Sequence, residues 1–239
     1  MTENVGGYLQ VGLALIAVVM PVALLITFVG LFVLYGLIIV GAIASVGAGA
    51  AIGDATNDRD LGGIVSGLGT MGSVLCSFVG FFGIMALGTA AIAPVSASVT
   101  RSIAAHQRGE GELTFQGAFS SIRQDMGANI AVVFLMMSLT LVGVMFCYVG
   151  ALVPAFLFTF AVPMVAVGRV SALTALTRTA RGAMARPMEH AAYAGAYFVT
   201  ALVANYVPIL GHAFLLALQV RAYRKVYGDA ALTPDQVAP

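Results

Sequence analysis

Charge is what this sequence has least of. From Val11 to Gly53, about forty-three consecutive residues include no Asp, Glu, Lys, Arg or His, and Leu61 to Thr100 and Ala128 to Gly168 are further uncharged runs of about forty. Charged residues make up 9% of the chain and apolar residues 60%, against about 25% and 45–50% in ordinary soluble domains. A soluble fold of 239 residues cannot hide that much apolar surface, which excludes that class. A bilayer's hydrocarbon core, roughly 30 Å thick, is crossed by about 20 apolar residues of helix. Each run is long enough to be a membrane segment.

Other absences exclude particular chemistries. Eleven Lys+Arg against ten Asp+Glu leave a formal net charge of only +1, so no basic field points to nucleic acid. No Lys, Arg, Asp or Glu lies within an expected span. A charge at the bilayer centre costs at least ~2.5–3.5 kcal/mol and is usually kept there for proton relays, ion paths or substrate counter-charges. Its absence argues against a proton-coupled transporter and against an intramembrane enzyme with paired carboxylates. No cofactor motif is present. Ser66, Ser73 and Ser77 have no GxSxG context and no His and acid partners at workable positions. His106 with Glu110 and Glu112 lacks a second clustered histidine for zinc. Cys76 and Cys147 lie inside apolar runs, without metal-ligand spacing, and are expected to pack as small hydrophobes. The first ten residues hold no Lys or Arg, and the run after them far exceeds a signal-peptide core, so this segment is expected to be retained.

What is present is glycine and small residues in helical register. The first run holds Pro21, Gly30, Gly36 and Gly41 and ends in a small-residue tail, GAIASVGAGAAIG. One crossing is expected, the alternative being a tight hairpin of two. The loop Asp54 to Asp60 superficially looks like a calcium loop, but Arg59 replaces the turn glycine and Val65 the bidentate glutamate, so it reads as a solvated connection. In the second run Gly63 and Gly67 form a GxxxG pair, and Ser73 with Ser77, or Ala86 with Ala90, repeat the small-xxx-small spacing. Such faces let two backbones approach closely, within one chain or between copies.

The polar segment Arg101 to Gly127 divides into a helix end with a Gly-rich turn and a stretch in which Phe115, Ala118, Phe119 and Ile122 predict a short interfacial helix. The third run predicts a hairpin turning near Cys147, Tyr148, Gly150 and Pro154. Leu173, Leu176, Ala180 and Met184 mark the apolar side of a second amphipathic helix, whose Arg178, Arg181 and Arg186 suit anionic headgroups, the alternative being that they only fix orientation. Ala191 to Val220 predicts a short hairpin around Asn205, Pro208, Gly211 and His212, with His212 at the turn. Arg221, Arg224 and Lys225 close it with further lipid-facing charge, and Asp229 to Pro239 is expected to be a mobile tail.

Ten of the eleven Lys+Arg lie in 101–123, 169–186 and 221–225, which the positive-inside rule puts on the cytoplasmic face. The expected architecture is an all-α, polytopic bundle of six spans, seven being the alternative. Residues 1–228 then form a single transmembrane domain, 1–100 as long Gly-rich helices and 101–228 as two hairpins with amphipathic connectors, with both termini cytoplasmic. From Gly109 onward the chain resembles a broad group of uncharacterised bacterial multi-pass membrane proteins, related to the membrane domain found beside glycerophosphoryl diester phosphodiesterases. The resemblance rests on Gly109-Glu110 ahead of the Phe119 segment, the apolar hairpin ending at Phe160 to Val167, the Ala/Ser/Arg helix Ser171 to Arg186, and Pro208-x-x-Gly211 with Ala222-Tyr223 and Tyr227-Gly228. It implies a bacterial inner-membrane protein of six-helix type and no catalytic residues, and no phosphodiesterase domain is present to supply that activity.

The expected function is non-enzymatic: a membrane-organising scaffold that forms homo-oligomers through Gly63, Gly67, Ser73 and Ser77 and contacts membrane lipids through its basic rim. The alternative is a channel or transport subunit for a neutral or lipidic substrate; a membrane-bound lipid enzyme ranks third.

Overall fold

The computed structural model describes residues 5–145, 149–204, 206 and 208–227. Cys147, Tyr148, Asn205 and the tail from Asp229 lie outside them. The described residues are helical, with no strand: α1 (Val5–Thr56), α2 (Arg59–Gln107), α3 (Met126–Met145), α4 (Val149–Leu157), α5 (Ala161–Gly168), α6 (Ala172–Ala185), α7 (Pro187–Ala204) and α8 (Pro208–Tyr227). Four stretches are long and apolar enough to cross a membrane, Val5–Thr56, Arg59–Gln107, Met126–Val144 and Gly150–Gly168. That marks the chain as a membrane protein. The first run contains no turn: α1 is one helix of 52 residues, with Pro21 inside it.

The chain forms two compact units, Ala23–Gly88 and, separately, Met1–Val22 with Thr89–Pro239. The first is a helical hairpin made from 23–56 of α1 and 59–88 of α2. The acidic loop is shorter than the sequence suggests. α1 runs on to Thr56, Asn57 takes a left-handed conformation at φ 54°, and the Asp58 carboxylate accepts from the backbone N–H of Asp60 (3.0 Å) and Leu61 (3.1 Å). Asp58 is therefore the N-cap of α2, which employs the side chain a calcium loop would have needed.

Down the hairpin the two helices meet through their smallest residues. A side chain at Gly41 would run into Ser73, one at Gly69 into Ser45 (2.6 Å), and one at Gly49 into the Gly62 carbonyl (2.5 Å) and the Ser66 side chain (2.7 Å). Ser45 and Thr70 share a hydroxyl contact of 2.7 Å across the seam. The outward faces remain apolar, with Phe28, Phe32, Val40, Leu68 and Met71 exposed. An ordinary soluble hairpin would carry charge there.

The second unit gathers the start of α1, the end of α2 and α3 to α8 around a core that includes Val11, Leu15, Val99, Ile103, Val132, Phe160, Val165, Val220 and Tyr223. α3 packs on α4, and α7 on α8, as antiparallel neighbours. Gly143 and Gly150 meet backbone to backbone in the first pair, and Gly211 meets Ala204 in the second, so close approach is again made by glycine.

Three sequence expectations need correcting. The expected helix over Phe115 to Ile122 is a 3-10 turn at Gly117–Phe119 flanked by further turns, because Ser98, Ser102 and Arg101 take up its backbone carbonyls and amides in place of helical partners. Pro154 lies inside α4, not at the turn of the hairpin. On α6 the packed residues are Ala172, Ala175, Leu176, Thr179 and Ala183, whereas Leu173 and Met184 point outward, each 69% exposed. The helix packs chiefly small residues with Leu176 inward and turns Leu173 and Met184 to the surroundings.

Candidate functional site

Within the second unit, one end of the bundle collects the basic stretches. Arg101, near the end of α2, donates from Nε to the Ala166 carbonyl (2.6 Å), from Nη1 to that of Ser121 (2.8 Å) and from Nη2 to that of Gln124 (2.8 Å). Its Asp125 partner lies 3.7 Å away. One guanidinium thus ties α2 to the last turn of α5 and to the strap 111–125. Ser98 and Ser102 bind the same strap through Ser121 and the Gly117 carbonyl. With its amide oxygen turned toward Arg169, Gln124 accepts from Arg169 Nε at 3.1 Å, and Arg169 itself caps α5 in a left-handed conformation, φ 51°. α8 joins the cluster through Gln107, which donates to the Ala217 carbonyl (3.2 Å) while its own carbonyl accepts from Arg224 (3.3 Å).

A pocket of about 280 Å³ opens beside this lock, lined by Arg101, Arg108 and Arg169 with Ser102, Ser121 and Gln124 among others. Its lining holds no Asp, Glu, His or Cys. Arg108 reaches Glu110 at 2.6 Å, and this hydrogen bond, ahead of a smaller Coulomb effect, holds the Glu110 carboxyl below the usual carboxylate range although it is exposed. Arg101 and Arg169 are thus engaged in holding the fold while Arg108 pairs locally, and the pocket offers positive charge and serine hydroxyls with no Asp, Glu, His or Cys beside them.

The residues singled out in the sequence are divided by the structure. Gly63 and Gly67 lie on the outer face of the hairpin, with nothing within 4 Å of an added Cβ. Ser73 instead packs against Gly41, and Ser77 is fully buried, donating to the Ser73 carbonyl at 2.7 Å. Arg181, Arg186, Arg221 and Lys225 are exposed, Arg186 reaching Glu189 at 3.8 Å and Lys225 lying 6.0 Å from the Tyr193 ring centre. Arg178 and Arg224 are half-buried. His190 is fully enclosed between Phe156 and Phe160, and bonds the Phe156 carbonyl at 2.8 Å. Cys76 is exposed on the hairpin rather than packed. Among the described residues no group of three or more His, Cys, Asp and Glu is placed to hold a metal.

Sequence reasoning missed Arg101, Gln124 and Arg169 as a unit. The available signal was position, since Arg101 is the first charge after a forty-residue neutral run and Arg169 the first after the next.

A second cavity, of about 430 Å³, lies deeper in the same unit. Its lining is chiefly aliphatic and aromatic and includes no Asp, Glu, Lys or Arg. His212, placed by sequence at a hairpin turn, belongs to α8 and lines this cavity. Among the described residues the second unit is helical, with a basic end and a cavity lined by no Asp, Glu, Lys or Arg, in a chain with four stretches long and apolar enough to cross a membrane. No family model, no curated protein and no solved structure matches the chain.

Proposed function

We propose that this is a non-enzymatic inner-membrane protein that self-associates and organises the surrounding membrane, crossing the bilayer six times with both termini cytoplasmic. The observation that carries the reading is the outer face of the hairpin. Gly63 and Gly67, one turn apart, leave an open notch flanked by exposed Ile64, Leu68 and Met71, while a different set of small residues already joins α1 to α2. A notch lined by Gly with aliphatic flanks admits a second helix at close range, and between helices in lipid such contact supplies much of the attraction. A second copy of the hairpin presents the same surface and is the occupant we assign.

The gathering of Arg101, Arg169 and Arg224 at one end of one unit accords with a single cytoplasmic face. Exposed Arg181, Arg186, Arg221 and Lys225, beside outward-facing Leu173, Met184 and Met188, suit an interface with anionic headgroups. The resemblance to the membrane domain associated with glycerophosphoryl diester phosphodiesterases fits the same multi-pass reading. The test is mass measurement of the intact protein released in mild detergent or in lipid nanodiscs. A discrete oligomer weakened by Gly63→Leu and by Gly67→Leu is expected, and a strict monomer in several detergents and in nanodiscs overturns the reading.

A second reading, a channel or transport subunit for a neutral or lipidic substrate, is favoured by one specific feature, the uncharged 430 Å³ cavity among the helices.

A further inference from the structure

Seven helical segments of the second unit each give a side chain to the deeper cavity: Leu15 from α1, Ala93 from α2, Met136 from α3, Ala155 from α4, Val162 from α5, Phe198 from α7 and Leu216 from α8. Counted at about 1.5 Å of rise per residue from Arg101, Asp125 and Arg221, the lining from Gln219 and Ser96 down to Thr89 and Thr140 lies roughly 3–22 Å from the basic end. That depth falls within a hydrocarbon core roughly 30 Å thick if the bundle stands in a bilayer.

The polar groups along the wall are largely spoken for. Thr140 donates to the Met136 carbonyl (2.8 Å), Thr159 to that of Ala155 (2.6 Å), and Gln219 to that of Thr159 (2.7 Å). A charged guest finds no counter-charge here and would lose its hydration without replacement. The volume lies in the range of about 300–1,000 Å³ typical of small-molecule sites. Phe198, 42% exposed and the most exposed residue of the lining, marks α7 as the side on which we place the entrance.

We propose that this cavity is a binding site for one hydrocarbon chain of a membrane lipid, entering sideways past Phe198 and lying among Leu15, Ala93, Met136 and Leu216. The proposal rests on the bundle spanning a bilayer and gives the neutral-substrate reading its ligand class.

The test reconstitutes the full-length protein in nanodiscs of phosphatidylcholine that carries a photoreactive diazirine on one acyl chain, and maps the labelled residues by mass spectrometry. Leu15, Ala93 and Thr159 are 4%, 3% and 6% exposed, out of reach of bulk lipid, whereas Phe134, Leu135 and Leu139 are open on the outer face of α3. Label on both sets is the expected result. Ala93→Phe, which fills the cavity from α2, and Thr140→Phe, which fills it from α3, are each expected to lower label on Leu15 and Thr159 about tenfold, equivalent to about 1.4 kcal/mol of binding, and to leave Phe134 and Leu139 labelled. Label confined to the outer α3 positions in the unaltered protein overturns the site and leaves the bilayer reading standing. Label on neither set overturns the bilayer reading itself. The unaltered protein decides the matter even where a filled variant fails to fold.

Discussion

Arg101 Nε and the carbonyl oxygen of Ala166, sixty-five residues apart in sequence, are joined by a hydrogen bond of 2.6 Å. The same guanidinium satisfies two further carbonyls in the strap, those of Ser121 and Gln124. A planar fork with five N–H donors can do this, and an ammonium on a flexible stem cannot. The side chain is 12% exposed, and removing it takes the donor from three carbonyl acceptors at once. Arg101→Met is expected to destabilise the second unit by about 2–4 kcal/mol, and Arg101→Lys is expected to recover less than half of that. Thermal unfolding in detergent, read by intrinsic tyrosine fluorescence, is the check. Equal stability of Arg101→Lys and the unaltered protein would show that charge, not fork geometry, carries the contact.

The hairpin separates two kinds of glycine. At Gly49 and Gly62 a Cβ would meet the opposing backbone, at 2.5 Å from the Gly62 and the Gly49 carbonyl respectively. Backbone cannot swing aside as a side-chain tip can, so Gly49→Leu or Gly62→Leu is expected to part α1 from α2 and cost about 1–3 kcal/mol, as overpacking does elsewhere. Gly63→Leu and Gly67→Leu meet open space and are expected to leave monomer stability within about 0.5 kcal/mol. Paired unfolding and mass measurements on the four variants distinguish a seam within the chain from a seam between chains.

The sequence carried the hairpin's existence but not its detail, for a physical reason. Long neutral runs announce helices of membrane length because no soluble alternative can hold them, and α1 and α2 follow those runs to within a few residues. Which glycine faces which partner depends on the relative rotation of two helices, and a stretch with glycine on several sides, such as Gly62, Gly63, Gly67 and Gly69, leaves that rotation open. The strap from Gly111 to Asp125 was misread for a related reason. Phe115, Ala118, Phe119 and Ile122 have helical spacing, but Ser98, Arg101 and Ser102 reach in from α2 and hold the segment in successive turns, a tertiary demand that local periodicity does not report. The apolar cavity was illegible because its lining comes in groups of one to four residues from seven helical segments, and each contribution resembles ordinary core.

The Arg108–Glu110 pair gives a pH dependence with a definite sign. The folded-state carboxyl titrates below its ordinary value, so its contribution is fully present above that ordinary value and is lost as pH falls through the lowered one. Both groups face solvent, and the effect on stability is correspondingly slight. Carbon-detected NMR of glutamate-labelled protein is expected to find the Glu110 carboxyl titrating below its ordinary value. Arg108→Gln is expected to raise it, and an unchanged titration in that variant would remove Arg108 as the cause.

The proposed six-span topology makes a prediction about access. Single cysteines placed at Glu112, Arg181 and Lys225, with the native cysteines replaced, are expected to react with a membrane-impermeant maleimide only after the inner face is exposed, as in inverted vesicles. A cysteine at Asp54 is expected to react from the outside of intact cells, because the acidic loop carries none of the basic stretches that the positive-inside rule retains. Glu112 and Arg181 reacting from opposite sides would overturn the topology and, with it, the assignment of a single basic rim.

The exposed rim itself is expected to select lipid. Arg181, Arg221 and Lys225 are open to the surroundings, while Arg224 is occupied by the Gln107 carbonyl. Basic side chains near an anionic surface contribute about 1 kcal/mol each, screened by salt over a distance of roughly 10 Å at 0.1 M. Replacing Arg181, Arg221 and Lys225 together by Gln is therefore expected to reduce the preference for phosphatidylglycerol over phosphatidylcholine by about 2–3 kcal/mol at low salt, and by much less at high salt. Native mass spectrometry of bound lipids, with fluorescent phosphatidylglycerol competition in nanodiscs, reads that preference directly. Arg224→Gln alone is expected to cost stability rather than lipid selectivity, since its guanidinium holds α2 to α8. If the triple variant keeps full selectivity at low salt while Arg224→Gln loses it, headgroup recognition belongs to the half-buried charges beside the strap and not to the outer rim.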